Sequence, residues 1–171
     1  MPMIYTFFNE ALCTDFTAIY QCDLIQDTID IVRFDKGTHT DIAIQTMDPY
    51  TLHSFHKMIQ YFENLYIQDS AQESLWKEFE PHALIEKLKD NPIYCYHCRL
   101  KPNQNGNEYH SFRAIKTNAS TSSFEVVIGV KVMDDLMEKQ YKNEKRLQQL
   151  LEEKKHQKKE LEIAYKQGQK K

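Results

Sequence analysis

The sequence predicts an α+β fold: a five-stranded antiparallel sheet with short helices on one face, followed by a long C-terminal helix. Three observations carry this prediction. Two strand-like runs near the N-terminus are answered by three more between positions 93 and 132. Apolar residues between the two groups recur at spacings of three and four. After Met133 the chain has no proline and is rich in Glu, Lys, Gln and Leu.

Residues from Asn9 to Phe16 read as a short helix. Ala18 to Leu24 then puts Ala18, Tyr20, Cys22 and Leu24 on one face of a strand. Ile25 to Asp27 carries turn chemistry, and Thr28 to Phe34 is β-branched and aromatic enough to return as its partner. Asp35 to Pro49 is polar, with Gly37 and Pro49, and is expected to be irregular. Leu52, Phe55, Ile59, Phe62 and Tyr66 form the stripe of one amphipathic helix. A helix around Ala71 to Phe79 is expected to bury Leu75, Trp76 and Phe79. Another starts at Glu80-Pro81, where proline suits the first turn, and runs through Leu84, Ile85 and Leu88 until Asp90-Asn-Pro92 stops it.

Ile93 to Leu100 is the third strand. A polar loop containing Asn105-Gly106 turns it into a fourth, Glu108 to Lys116. Thr117 to Ser123 reads as a second loop. Phe124 to Val132 is the strongest strand, with Phe124, Val126, Ile128, Val130 and Val132 on one face. The domain is therefore drawn over residues 1–132 and the helix over 133–171. Stepping three and four from Met133 gives Leu136, Gln140, Asn143, Leu147, Leu150, Lys154, Gln157, Leu161 and Ala164. Polar residues take half of this heptad-like seam, the pattern of a weak or conditional coiled coil.

Charge is unevenly spread along the 171 residues. From Lys131 onward twelve Lys and Arg face eight Asp and Glu, whereas residues 1–130 hold ten and seventeen. The tail is basic, but its interleaved acids weaken the field that nucleic acid would need, so no nucleic-acid partner is expected. No apolar run approaches membrane-spanning length and no signal peptide is readable, so neither membrane insertion nor export is expected. Four cysteines without a secretion signal argue against a disulfide framework and for the reducing cytoplasm.

Cys95-Tyr-His-Cys98 has the spacing of a zinc or redox pair. Residues three apart on a strand point to opposite faces, so the sulfurs are expected to diverge. No second Cys-x-x-Cys completes four ligands, although His97 and His110 stand nearby, and no metal site is expected. His53 and His56, residues of a type that can ligate haem, lie near one face of the mid-chain helix; they read as flanking polarity, and no cofactor is expected. The four glycines are isolated and no serine nucleophile elbow is present, so no catalytic motif is read. Asp134-Asp135 suits the start of the last helix.

The order strand-strand, short helices, three strands, exit helix resembles that of PAS-like sensor domains, of the kind found N-terminal to GGDEF diguanylate cyclases or histidine kinases in anaerobic Firmicutes. Four stretches carry the resemblance. Ala11 to Leu24 with Asp27-Thr28 is similar to the opening helix and hairpin. Leu65 to Asp69 stands where such domains often carry a His-Pro-Asp-Asp segment, though the proline is missing here. Pro81 to Asn91 resembles the helix before the third strand, and Phe124 to Asp134 the last strand and the acidic start of the signalling helix.

The resemblance implies a non-catalytic, cytoplasmic sensor or dimerisation module that relays a ligand or conformational signal through its C-terminal helix. A pocket is then expected between the third and fifth strands and the mid-chain helix. Its lining would be Phe55, Ile59, Phe62, Tyr96, Cys98, Phe112, Val126 and Ile128, and no side chain names its ligand. The expected partner is a second copy, paired along Leu136, Leu147, Leu150 and Leu161, with an output domain or another protein as further partners. Two alternatives stand beside this reading: the regulatory N-terminal fragment of a cyclase or kinase, and a basic coiled-coil adaptor for nucleic acid.

Overall fold

The structure, a computed structural model, describes residues 15–67 and 74–170. It divides into two compact units, Met1–Val132 and Met133–Lys171.

The first unit opens with strands β1 (Ala18–Asp23) and β2 (Thr28–Phe34). The turn between them needs a positive φ at Asp27, 53°, a conformation aspartate tolerates better than most residues. Five helices follow: α1 (His39–Thr46), α2 (Pro49–Leu52), α3 (Phe55–Glu63), α4 (Leu75–Phe79) and α5 (Pro81–Asp90). Strands β3 (Ile93–Arg99), β4 (Tyr109–Ala119) and β5 (Phe124–Val132) complete an antiparallel sheet of order β2-β1-β5-β4-β3. The α+β architecture expected from the sequence is present, five strands and long last helix included.

Alternation along the strands decides which face is buried. Val126, Ile128 and Val130 on β5 lie opposite Cys22, Tyr20 and Ala18 on β1, and all six are buried. Across the other edge of β5, Phe112 pairs with Val130 and Ala114 with Ile128; β4 in turn pairs Phe112 with Tyr96 and His110 with Cys98 on β3. This inner face and Phe55, Met58, Ile59 and Phe62 of α3, Leu75 and Phe79 of α4, and Leu84 and Leu88 of α5 form one hydrophobic cluster.

Several expectations need correcting. Asp35 to Pro49 contains helix α1, whose buried residues are His39, Thr40, Asp41 and Ala43, so no apolar stripe announces it. Thr38 starts it by accepting a hydrogen bond from the Asp41 amide. The single helix from Leu52 to Tyr66 is two helices. Leu52 ends α2, Ser54 caps the start of α3, and Tyr66 forms an isolated bridge with Leu100. Apolar spacing continues through the break and hides it. Trp76 is only partly buried, whereas Leu75 and Phe79 are fully so. Strand β4 extends to Ala119 instead of ending at Lys116, and the hairpin loop shortens to 120–123. The expected helix from Asn9 to Phe16 and the beginning of the one from Ala71 fall largely outside the described residues; Phe16 itself is not helical.

The second unit is α6 (Asp135–Gly168), started by Asp134, whose carboxylate accepts from the Met137 amide at 2.8 Å. Among the described residues no helix is long and apolar enough to cross a membrane.

Candidate functional site

All eight expected pocket residues belong to the interior of the first unit: seven are buried in its central cluster, and Tyr96 packs against it half-buried. Strands β3 and β5 are not neighbours, because β4 lies between them and contributes Phe112 from the middle of the face.

Edge-to-face aromatic contacts link the group. Phe62 stands 5.3 Å from Phe112 and 6.4 Å from Tyr20, ring centre to ring centre, and Phe79 lies 5.9 Å from Phe112 and 6.3 Å from Tyr96. Such geometries set the positive ring edge against the negative face. The interior therefore has a specific aromatic arrangement, not only apolar area.

Polar groups stand around this interior, and the fold holds most of them. The Tyr20 hydroxyl bonds to the Thr40 hydroxyl, joining β1 to α1. The Tyr94 hydroxyl donates to Glu78, which also receives Lys87 Nζ at 2.5 Å. The Tyr66 hydroxyl is buried beside Tyr96 and Cys98 without a hydrogen bond among the described residues. Burial raises the pKa of Tyr20 and Tyr66 and keeps both phenols protonated.

Thiol chemistry is suppressed in the same interior. Burial pushes the Cys98 thiol up to about 12 and raises Cys22 well above its ordinary value. Nucleophiles and metal ligands are thiolates, so these two behave as small apolar side chains at neutral pH. Cys95 points out of β3 and is exposed while Cys98 is fully buried, so the two sulfurs do diverge. Among the described residues no three His, Cys, Asp or Glu side chains converge in a way that could hold a metal ion.

The two histidines weighed as haem ligands have local roles. His53 ends α2, with Nδ1 3.3 Å from the Ile29 carbonyl oxygen, and His56 sets its ring edge-on to Trp76 at 4.5 Å. The His56 amide and the Ser54 hydroxyl both donate to the Asp27 carboxylate, at 2.7 and 2.8 Å, tying the β1–β2 turn to the start of α3.

Sequence reasoning missed a second polar cluster. His39, the first residue of α1, is buried and donates from Nε2 to the Lys101 carbonyl at 2.8 Å. His110 on β4 is also buried, donates from Nδ1 to the Glu108 carbonyl at 2.8 Å, and its ring centre lies 5.3 Å from that of His39 with the planes tilted by 59°. Nothing local signals this meeting of residues far apart in sequence. The one legible sign was His110 at an inner position of a strand.

The four seam leucines of α6 are all exposed, as are Leu151, Ile163 and Tyr165. Comparison of the chain with protein-family models, with curated proteins and with solved structures finds no match.

Proposed function

We propose that the chain is a PAS-like, non-catalytic cytoplasmic sensor module whose C-terminal helix pairs with a second copy and relays the state of the domain. The observation that carries the reading is the direct passage of the chain from β5, part of a specifically packed aromatic interior, into a long helix whose seam leucines are exposed. Strand β5 contributes Val126, Ile128 and Val130 to the interior and ends at Val132, three residues before α6 begins. A change in how the interior packs reaches β5 first, and β5 leads directly into the helix.

The sheet order β2-β1-β5-β4-β3, with all the short helices inserted between β2 and β3, supports the PAS-like reading. Buried, protonated Cys22 and Cys98 support a binding role over nucleophilic chemistry at those positions. For the helix, Leu136 at 66% and Leu161 at 71% exposure are large apolar side chains left to solvent near both ends of one face. Burying each leucine against a partner contributes about 1.5–3 kcal/mol before the costs of association. Gln140, Asn143, Lys154 and Gln157 dilute the seam, so the pair is expected to be reversible and responsive.

Sedimentation velocity tests this reading. The wild-type chain should associate with rising concentration, and Leu147→Asp with Leu150→Asp should abolish association while leaving the sheet signal in circular dichroism intact. A wild type that stays monomeric at high micromolar concentration contradicts self-pairing.

A further inference from the structure

We propose that the adjoining His39–His110 pair is an acid-released latch that holds the start of α1 against the β3–β4 loop and lets go as both rings take up protons. The geometry is that of a clasp between two loops. Besides the His39 bond to the Lys101 carbonyl, the Gln104 amide donates to the Gly37 carbonyl at 3.1 Å and the Asn105 side chain donates to the Lys36 carbonyl at 3.0 Å. Gly37 sits at φ 79°, and a Cβ there would come 2.7 Å from Asn105 Oδ1, so the two loops are in close contact.

Neither imidazole has an acid to stabilise its charged form. On α1, Asp41 spends its oxygens on the Gly37 amide at 2.7 Å and on Gln45 at 3.0 Å. Glu108, just before β4, gives its carboxylate to Arg99 at 2.9 Å and offers His110 only a backbone carbonyl. Lys101 of the loop likewise offers its carbonyl, Tyr61 of α3 donates to the His39 carbonyl at 3.0 Å, and Cys98 of β3, the register partner of His110, is held as a neutral thiol. Among the described residues no ion pair reaches either ring. Each ring is thus satisfied as a neutral donor, and a charge on one opposes a charge on the other.

Burial lowers the pKa of both rings, that of His110 to about 4, with the neighbouring His39 adding to the effect. In an opened, solvated state both return to about 6.5. The folded values lie below the open ones, so the open state binds more protons and the closed state loses ground as pH falls below about 6.5. The released His110 ring contributes about tenfold per pH unit in that window, and the His39 ring adds in the same direction.

Hydrogen exchange on the full chain, corrected for the intrinsic pH dependence of exchange, reads the latch. Amides of residues 101–108 should lose well over tenfold protection between pH 7 and pH 5.5, and His39→Phe should reduce that loss to the part, about tenfold, that His110 alone supplies. A loop whose corrected protection is flat over this range, or one that responds equally in His39→Phe, overturns the proposal. Should that variant fold poorly, a proton-NMR titration of the wild type decides. Rings that stay neutral in the closed form down to pH 5.5 support the latch, and rings that titrate near 6.5 with the loop still closed refute it.

Discussion

The ring of Phe16 lies directly on Gly129, on the face of β5 opposite the aromatic interior: a Cβ built at Gly129 would come 2.6 Å from Phe16 Cδ1 and Cε1. Residue 129 is therefore glycine because another side chain occupies the space. Around the contact, Arg113 stands 6.0 Å over the Phe16 ring and Lys131 lies 3.7 Å from Asp15. The segment entering β1 is thereby anchored to β5 and β4, and the Thr17 amide adds a bond to the Val130 carbonyl at 2.8 Å.

Gly129→Ala should accordingly destabilise the domain by about 1–3 kcal/mol, the range for overpacking a filled site. In a Phe16→Ala background the same change should cost far less, because the ring that it would strike is gone. Urea unfolding of the four proteins measures the coupling. Additive effects would mean that the contact is not what excludes a side chain.

Thr40→Val removes the hydroxyl that partners Tyr20 inside the core while keeping its shape. Thr40 and Tyr20 are each 2% exposed, so a stranded phenol should cost about 1–3 kcal/mol. Pairing the change with Tyr20→Phe should recover much of the loss, since both polar groups are then absent. Thermal melting of the two single variants and the double variant checks it.

Acid sensitivity should fall into two ranges. The His39–His110 pair acts from about pH 6.5 downward. Glu78 acts lower. Burial works to raise its pKa, but the bonds from Lys87 and Tyr94 outweigh burial and hold the carboxyl below its ordinary 4.5. Its folded value lies below the unfolded one, so its contribution is complete above about pH 4.5 and lost as pH falls through the folded value. Glu78→Gln should lower stability at pH 7 and flatten the dependence below pH 4.5, leaving the upper range unchanged. Denaturant melts at closely spaced pH values separate the two; an altered upper range would contradict the assignment.

The parts of this fold that were legible are those where burial and local period coincide. β5 reads correctly from Phe124 to Val132 because every second residue faces the core, and β2 reads from Thr28 to Phe34 for its β-branched content. Helix α1 was hidden because it buries His39, Thr40 and Asp41, a polar set that hydropathy assigns to solvent. The break at His53–Ser54 was hidden for the opposite reason, an apolar spacing that runs across two separate helices. At the site, Phe55, Ile59, Phe62, Val126 and Ile128 could be listed from periodicity, whereas the Tyr20–Thr40 and His39–His110 meetings depend on strand order and on loop packing. Local sequence carries no record of either.

The central claim is that the packing of the domain's interior sets the pairing of its exit helix, and the dimerisation constant of folded core variants tests it most directly. Phe62→Leu, Phe112→Leu and Ile128→Val each change the aromatic interior at buried positions, two of them on the sheet that ends in α6. None touches the seam leucines. A relay requires that the two packing states differ in their affinity for the partner helix. Sedimentation velocity over a concentration series should therefore show dimerisation constants shifted about tenfold, or about 1.4 kcal/mol, in at least one variant that retains a cooperative melt. Constants within about twofold of wild type in all three, which is about 0.4 kcal/mol, would show that helix and interior act independently and would contradict the relay.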